Sequence, residues 1–182
     1  SEEERLEKEL DEVLEDHKRR VEEWKKKMDE VNKKHKESID RLREELDRVL
    51  DEVRKAGLDE KKLRELEKKA RDLKEKIKKR TEEIKESNKR IKDEIKKLSD
   101  DLEKEARDLK REIRDLKRRG EPREEALKRL EELVRKLKEK LERINRRIAR
   151  IVDKNTKEIK DTNDTLRKEV RDLMKELKDR TR

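Results

Sequence analysis

His17 and His35 are the only imidazoles in the chain. They stand 18 residues apart, about 27 Å along a helix rising 1.5 Å per residue. That distance prevents them from sharing a metal ion. Neither histidine follows a glutamate at the Glu-x-x-His spacing of helical di-iron sites. The chain has no cysteine, which excludes disulfides, thiolate metal ligation and a thiol nucleophile. With 53 Asp and Glu residues, close carboxylate pairs arise everywhere. They read as solvated faces and not as an acid–base couple. No Gly-rich phosphate loop and no nucleophile–base pair occurs. The expectation is a chain that is not an enzyme and takes no metal and no cofactor.

The remaining polar residues that could do chemistry sit within apolar patterns. They are Asn32, His35 and Ser38 in the first third, Thr81, Ser87 and Asn88 in the middle, and Asn155, Thr156, Thr162 and Asn163 in the last. A second set is His17, Ser99 and Asn145. Buried amides, hydroxyls and imidazoles cost free energy unless they pair. Such residues, brought together across helices, can penalise a shifted register or a wrong topology.

The elements that must position them are helical. Charged residues make up 63% of the 182 and hydrophobic ones 26%. That composition permits disorder, but the spacing argues against it. Leu14, His17, Val21, Trp24, Met28, Val31, His35, Ser38 and Leu42 follow one another in alternating steps of three and four. This is the heptad stripe of a coiled-coil helix. Similar stripes run from Leu63 to Leu116 and from Leu127 to Leu177. Glycine occurs only at Gly57 and Gly120, and proline only at Pro122. Gly57 suits the residue after a helix end, Asp59 a helix cap, Gly120 a second stop and Pro122 a first turn.

These marks predict helices over about 2–56, 59–119 and 122–181, each about 55–60 residues or roughly 85 Å long. Short loops make sequential neighbours antiparallel. The expected fold is all-α: one elongated up-down-up antiparallel three-helix coiled-coil bundle over 1–182, without separate domains. In the implied register a helix 1 residue x faces a helix 2 residue near 115 − x, and helix 2 faces helix 3 near 240 minus its number. Trp24 then lies level with Ile91 and Ala149, and the first polar set forms one central slab.

The net charge of +9 is uneven, with a net acidic first helix and two net basic ones. Opposite signs favour association of the three in a chosen arrangement. The basic stretches alternate with carboxylates, and no aromatic side chains are spaced to stack on bases. A specific nucleic-acid partner is not expected, and no apolar run could span a membrane. Asn163-Asp164-Thr165 fits a glycosylation sequon, but no targeting signal accompanies it. A soluble, cytoplasmic chain is expected on recombinant expression.

In combination the Leu/Ile/Val stripes, the Glu/Lys/Arg/Asp exterior, the loops Ala56-Gly57-Leu58-Asp59 and Arg119-Gly120-Glu121-Pro122, and the aligned Asn/Ser/Thr/His set have a known counterpart. The whole chain resembles a de novo designed, parametrically built helical bundle with installed hydrogen-bond networks. The resemblance implies a scaffold or assembly component with no evolved substrate. A structural scaffold is the leading expectation, monomeric and requiring no partner because the narrow apolar stripe of each helix is consumed by the other two. The alternatives are a subunit of a designed helical homo- or hetero-oligomer or a conformational switch, and a non-specific binder of polyanions.

Overall fold

The structure is a computed structural model that describes residues 1–57, 59–119 and 124–180. It is an all-α three-helix bundle: α1 is Glu2–Lys55, α2 is Glu60–Arg119 and α3 is Glu124–Asp179. No strand occurs among the described residues. Local chemistry sets the ends. Ser1 caps α1, its Oγ accepting from the Glu4 N–H at 3.3 Å and its carbonyl from the Arg5 N–H at 3.1 Å. Ala56 N–H is shared between the Glu52 and Val53 carbonyls, and Gly57 follows at φ 72. That left-handed conformation costs glycine nothing and other residues strain. The Asp59 carbonyl accepts the first bond of α2, from Leu63 N–H at 2.9 Å. Leu58, Gly120 and Pro122, on which the expected loops rest, lie outside the described residues.

Packing divides the chain into two compact units, each drawing on all three helices. Unit 1 is Ser1–Lys27 with Arg90–Asp153, and unit 2 is Met28–Lys89 with Lys154–Arg182. The core of unit 1 includes Leu6, Leu10, Leu102, Ile113, Leu130 and Val134. That of unit 2 includes Leu46, Val53, Leu66, Ile77, Leu166 and Leu177. Burying each such side chain contributes about 1.5–3 kcal/mol, and this drives the pairing.

Ion pairs along the edges report the register within each unit. In unit 1, α1 meets α2 through Asp11–Lys110 at 2.7 Å, Glu7–Arg114 at 2.7 Å and Glu4–Lys117 at 2.6 Å. In unit 2 the corresponding pairs are Arg54–Glu67 at 2.9 Å and Asp47–Lys74. Partners descend on one helix as they ascend on the other, so α1 and α2 run antiparallel in both units. Glu94–Arg147 at 3.3 Å with Glu105–Lys140 at 2.6 Å in unit 1, and Lys69–Glu176 at 2.9 Å with Lys76–Glu169 at 2.7 Å in unit 2, make α2 and α3 antiparallel as well. Exposed pairs of this kind add little stability. They serve here as markers of alignment.

The buried positions follow a longer period than the expected heptad. Leu10, Met28 and Leu46 are buried at 18-residue intervals in α1, and so are His17, His35 and Val53. In α2 the same interval links Leu66, Ile84 and Leu102, and also Ile77, Ile95 and Ile113. In α3 it links Leu130, Ile148 and Leu166, and also Val134, Val152 and Val170. Eighteen residues make five turns of 3.6, so the stripe returns to the same face of an ordinary helix. A strict heptad would drift by about 20° per repeat and require supercoiling. The stripe is also wider than a single seam. Ile39, Leu50 and Val152 are buried, and Val13, Leu133 and Met174 are partly buried. Ile39 takes the fully enclosed place expected of Ser38, which is half-buried. Trp24, Ile91 and Ala149 are half-buried too, since an indole is rarely enclosed completely.

Candidate functional site: buried polar contacts

All thirteen polar residues singled out from the sequence are buried or half-buried. The structure joins some of them and leaves others at the edge of the stripe. His17, Ser99 and Asn145 belong to unit 1 and are buried. The His17 ring bridges the other two helices, with Nδ1 2.6 Å from Asn145 Oδ1 and Nε2 3.0 Å from Ser99 Oγ. A carboxamide oxygen only accepts, so Nδ1 carries the proton and donates. In the neutral ring Nε2 then accepts from the Ser99 hydroxyl. One side chain from each helix is fixed by this chain of two bonds.

The other ten residues all fall in unit 2. Asn155 Nδ2 donates to Asn88 Oδ1 at 2.7 Å, and both side chains are buried. Asn88 Nδ2 is buried without a partner. His35 is only 3% exposed, and neither ring nitrogen has a hydrogen-bond partner. Burial pushes the His35 pKa below the ordinary 6.5, with the Asn163 carboxamide acting in the opposite direction. Asn163 Oδ1 is itself buried and unpaired. The Thr81 hydroxyl turns back to its own helix and donates to the Ile77 carbonyl at 2.8 Å. Asn32, Ser38, Ser87, Thr156 and Thr162 are half-buried.

Two further buried polar groups were not singled out from the sequence. Glu3 is 4% exposed at the start of α1, and the signal for it is its place on the stripe, three residues before Leu6 and 18 before Val21. Arg167 Nε is buried and unpaired, one turn after Asn163. The signal for Arg167 is its four-residue step from Asn163, which puts both on one face.

An open groove of about 420 Å³ lies in unit 1, with Asn145 at its wall and Asp16, Arg20, Arg135, Lys138 and Glu139 around it. Its cations are already committed. Arg20 pairs with Asp16 at 3.0 Å and Arg135 with Glu139 at 2.7 Å. No group of three or more His, Asp or Glu side chains suited to a metal ion occurs among the described residues. Among them, too, no helix is long and apolar enough to cross a membrane.

The class the fold and these contacts define is an all-α three-helix bundle with a small number of buried inter-helix hydrogen bonds. No family model, curated protein or solved structure matches the chain.

Proposed function

We propose that the chain is a structural scaffold of the de novo designed kind, with no evolved biochemical activity. In this reading the apolar stripe drives folding and the polar contacts select which helix faces pair. The observation that carries it is the use of apolar surface. Among the described residues no large hydrophobic side chain is exposed, while buried polar residues from distant segments meet at hydrogen-bond distance. Exposed apolar patches mark interaction surfaces, so this distribution favours a self-contained monomer. The alternative, a subunit of a helical oligomer or a switch, draws support from the unpaired His35, Asn88 and Asn163 atoms. The third reading, non-specific binding of polyanions, rests on the +9 net charge. Light scattering behind size-exclusion chromatography tests the choice. A mass of 22.4 kDa across a wide concentration range supports the scaffold, and a stable multiple supports the oligomer. Titration with nucleic acid over a salt series addresses the third reading, where affinity that falls steeply with salt would support it.

A further inference from the structure

His17 and His35 occupy equivalent places in the repeat, yet their surroundings differ. The α1–α2 ion pairs of both units join residues whose numbers add to 121, as in Asp11–Lys110 and Asp47–Lys74. The alignment that sets Ser99 on His17 in unit 1 therefore sets Thr81 opposite His35 in unit 2. Asn163 likewise stands to His35 as Asn145 stands to His17. The difference lies in the hydroxyl. Ser99 Oγ reaches the ring of His17, whereas the Thr81 hydroxyl is occupied by the Ile77 carbonyl. Threonine in a helix splits between two χ1 wells, one of which makes this bond to the preceding turn.

This geometry treats the two rings differently when a proton arrives. At His17 both ring nitrogens are already paired, Nδ1 with the Asn145 carboxamide oxygen and Nε2 with the Ser99 hydroxyl, a group that can donate or accept. At His35 a second N–H would enter a buried site where neither nitrogen has a partner at hydrogen-bond distance; the one group there that favours the proton is the Asn163 carboxamide, and burial outweighs it. The charged groups within one turn of Thr81 and Asn163 give the ring no buried partner. The cations among them are Lys78 and Lys85 on α2, both exposed, and on α3 the exposed Lys160 and the half-buried Arg167. On α1 the residues one turn away are Val31, Asn32, Ser38 and Ile39, which are uncharged. The nearby carboxylates Glu82 and Asp164 are exposed.

We infer that His35 is an acid trigger confined to unit 2: its protonation loosens the helical segments of Met28–Lys89 and Lys154–Arg182, while those of unit 1 stay closed. The inference deepens the switch alternative and rests on the helices being packed as described, not on the oligomeric state. The loosened state hydrates the imidazolium and the unpaired Asn163 and Asn88 atoms together, so their desolvation costs are relieved in one step.

Hydrogen–deuterium exchange of the full chain, followed by peptide from pH 7.5 to 4.5 and corrected for intrinsic rates, tests this. Expected is a loss of protection of tenfold or more on acidification, in peptides from 28–57, 59–89 and 154–180, with little change in 1–27 and 90–119. His35→Leu, which fills the site with an apolar group, should abolish that acid-induced loss. Thr81→Ser, which restores the hydroxyl of the His17 site, should reduce it. The inference is overturned if His35→Leu loses protection on acidification as the parent does, or if loss spreads evenly over both units. Light scattering on the same samples separates outcomes: a chain that is oligomeric but shows the segmental loss contradicts the scaffold reading and leaves the trigger standing.

Discussion

Asn155 donates its carboxamide N–H to Asn88 Oδ1 at 2.7 Å, tying α3 to α2 inside unit 2, and the second N–H group of Asn88 finds no acceptor. The unpaired N–H group offsets part of what the bond contributes. Asn155→Ala leaves a buried carboxamide oxygen unpaired and should cost about 1–3 kcal/mol. The double variant Asn88→Leu with Asn155→Leu removes both polar groups and should be as stable as the parent or more so. Denaturant midpoints for the parent, Asn88→Leu, Asn155→Leu and the double variant close the cycle. A double variant less stable than the parent would show that the bond is worth more than its desolvation.

In unit 1 the corresponding test is Asn145→Leu. It leaves one buried ring nitrogen of His17 unpaired, whichever nitrogen carries the proton, and should lower stability by about 1–3 kcal/mol. Ser99→Ala leaves Nε2 unpaired in the same way and should cost a similar amount. No loss of stability in either variant would contradict the pairing of the ring with both neighbouring helices.

Much of this arrangement was legible in the residues. The three stripes, the Gly57 stop and the Asp59 cap follow from local chemistry, and local chemistry fixes helix bounds. The alignment of His17 with Ser99 follows from counting back along two antiparallel helices, 17 and 99 adding to one more than the expected 115. Between α2 and α3 residue numbers expected to add to 240 add to 243 at Asn88–Asn155 and 245 at Lys76–Glu169, so Asn145 lies four residues beyond the position counted from Ser99. Few residues of offset are needed to separate a polar slab into distinct contacts, because each turn advances about 5.4 Å. The period was obscured because seven and eighteen residues predict the same positions over the first few turns. Whether Thr81 turns to His35 or to Ile77 was not legible at all. It is a choice between two side-chain rotamers with similar partners, and composition is silent on it.

Acid should destabilise the protein through His35. Its folded-state pKa lies below the ordinary 6.5, chiefly because the ring is buried. The unfolded chain therefore binds the proton first as pH falls. Stability is fully present above about 6.5, declines as pH drops through that value, and levels off below the folded-state pKa. The urea midpoint should be lower at pH 5.5 than at pH 7.5, by more in the parent than in His35→Leu. A parent midpoint that is unchanged or rises relative to the variant would mean the ring finds a partner for its second proton.

Core truncation should cost far more than surface changes. Ile148 is 0% exposed in α3, and Ile148→Ala should destabilise by about 2–5 kcal/mol through lost burial and the cavity left behind. Exposed Lys117, paired with Glu4 at 2.6 Å, should tolerate Lys117→Gln with little change in thermal midpoint. A larger effect at Lys117 than at Ile148 would place the stability in the charge network instead of the apolar stripe.

The role of the polar contacts in selecting the fold is tested most directly by removing them together. In a variant carrying Leu or Ile at 17, 35, 88, 99, 145 and 155, native mass spectrometry reports how many associated states the chain adopts. The parent should give one species at 22.4 kDa, and the all-apolar variant should be harder to denature yet spread over several masses or registers. A variant that remains a single 22.4 kDa species, with an amide NMR spectrum as sharp and as dispersed as the parent's, would contradict that role and leave the apolar stripe alone as the determinant of the fold.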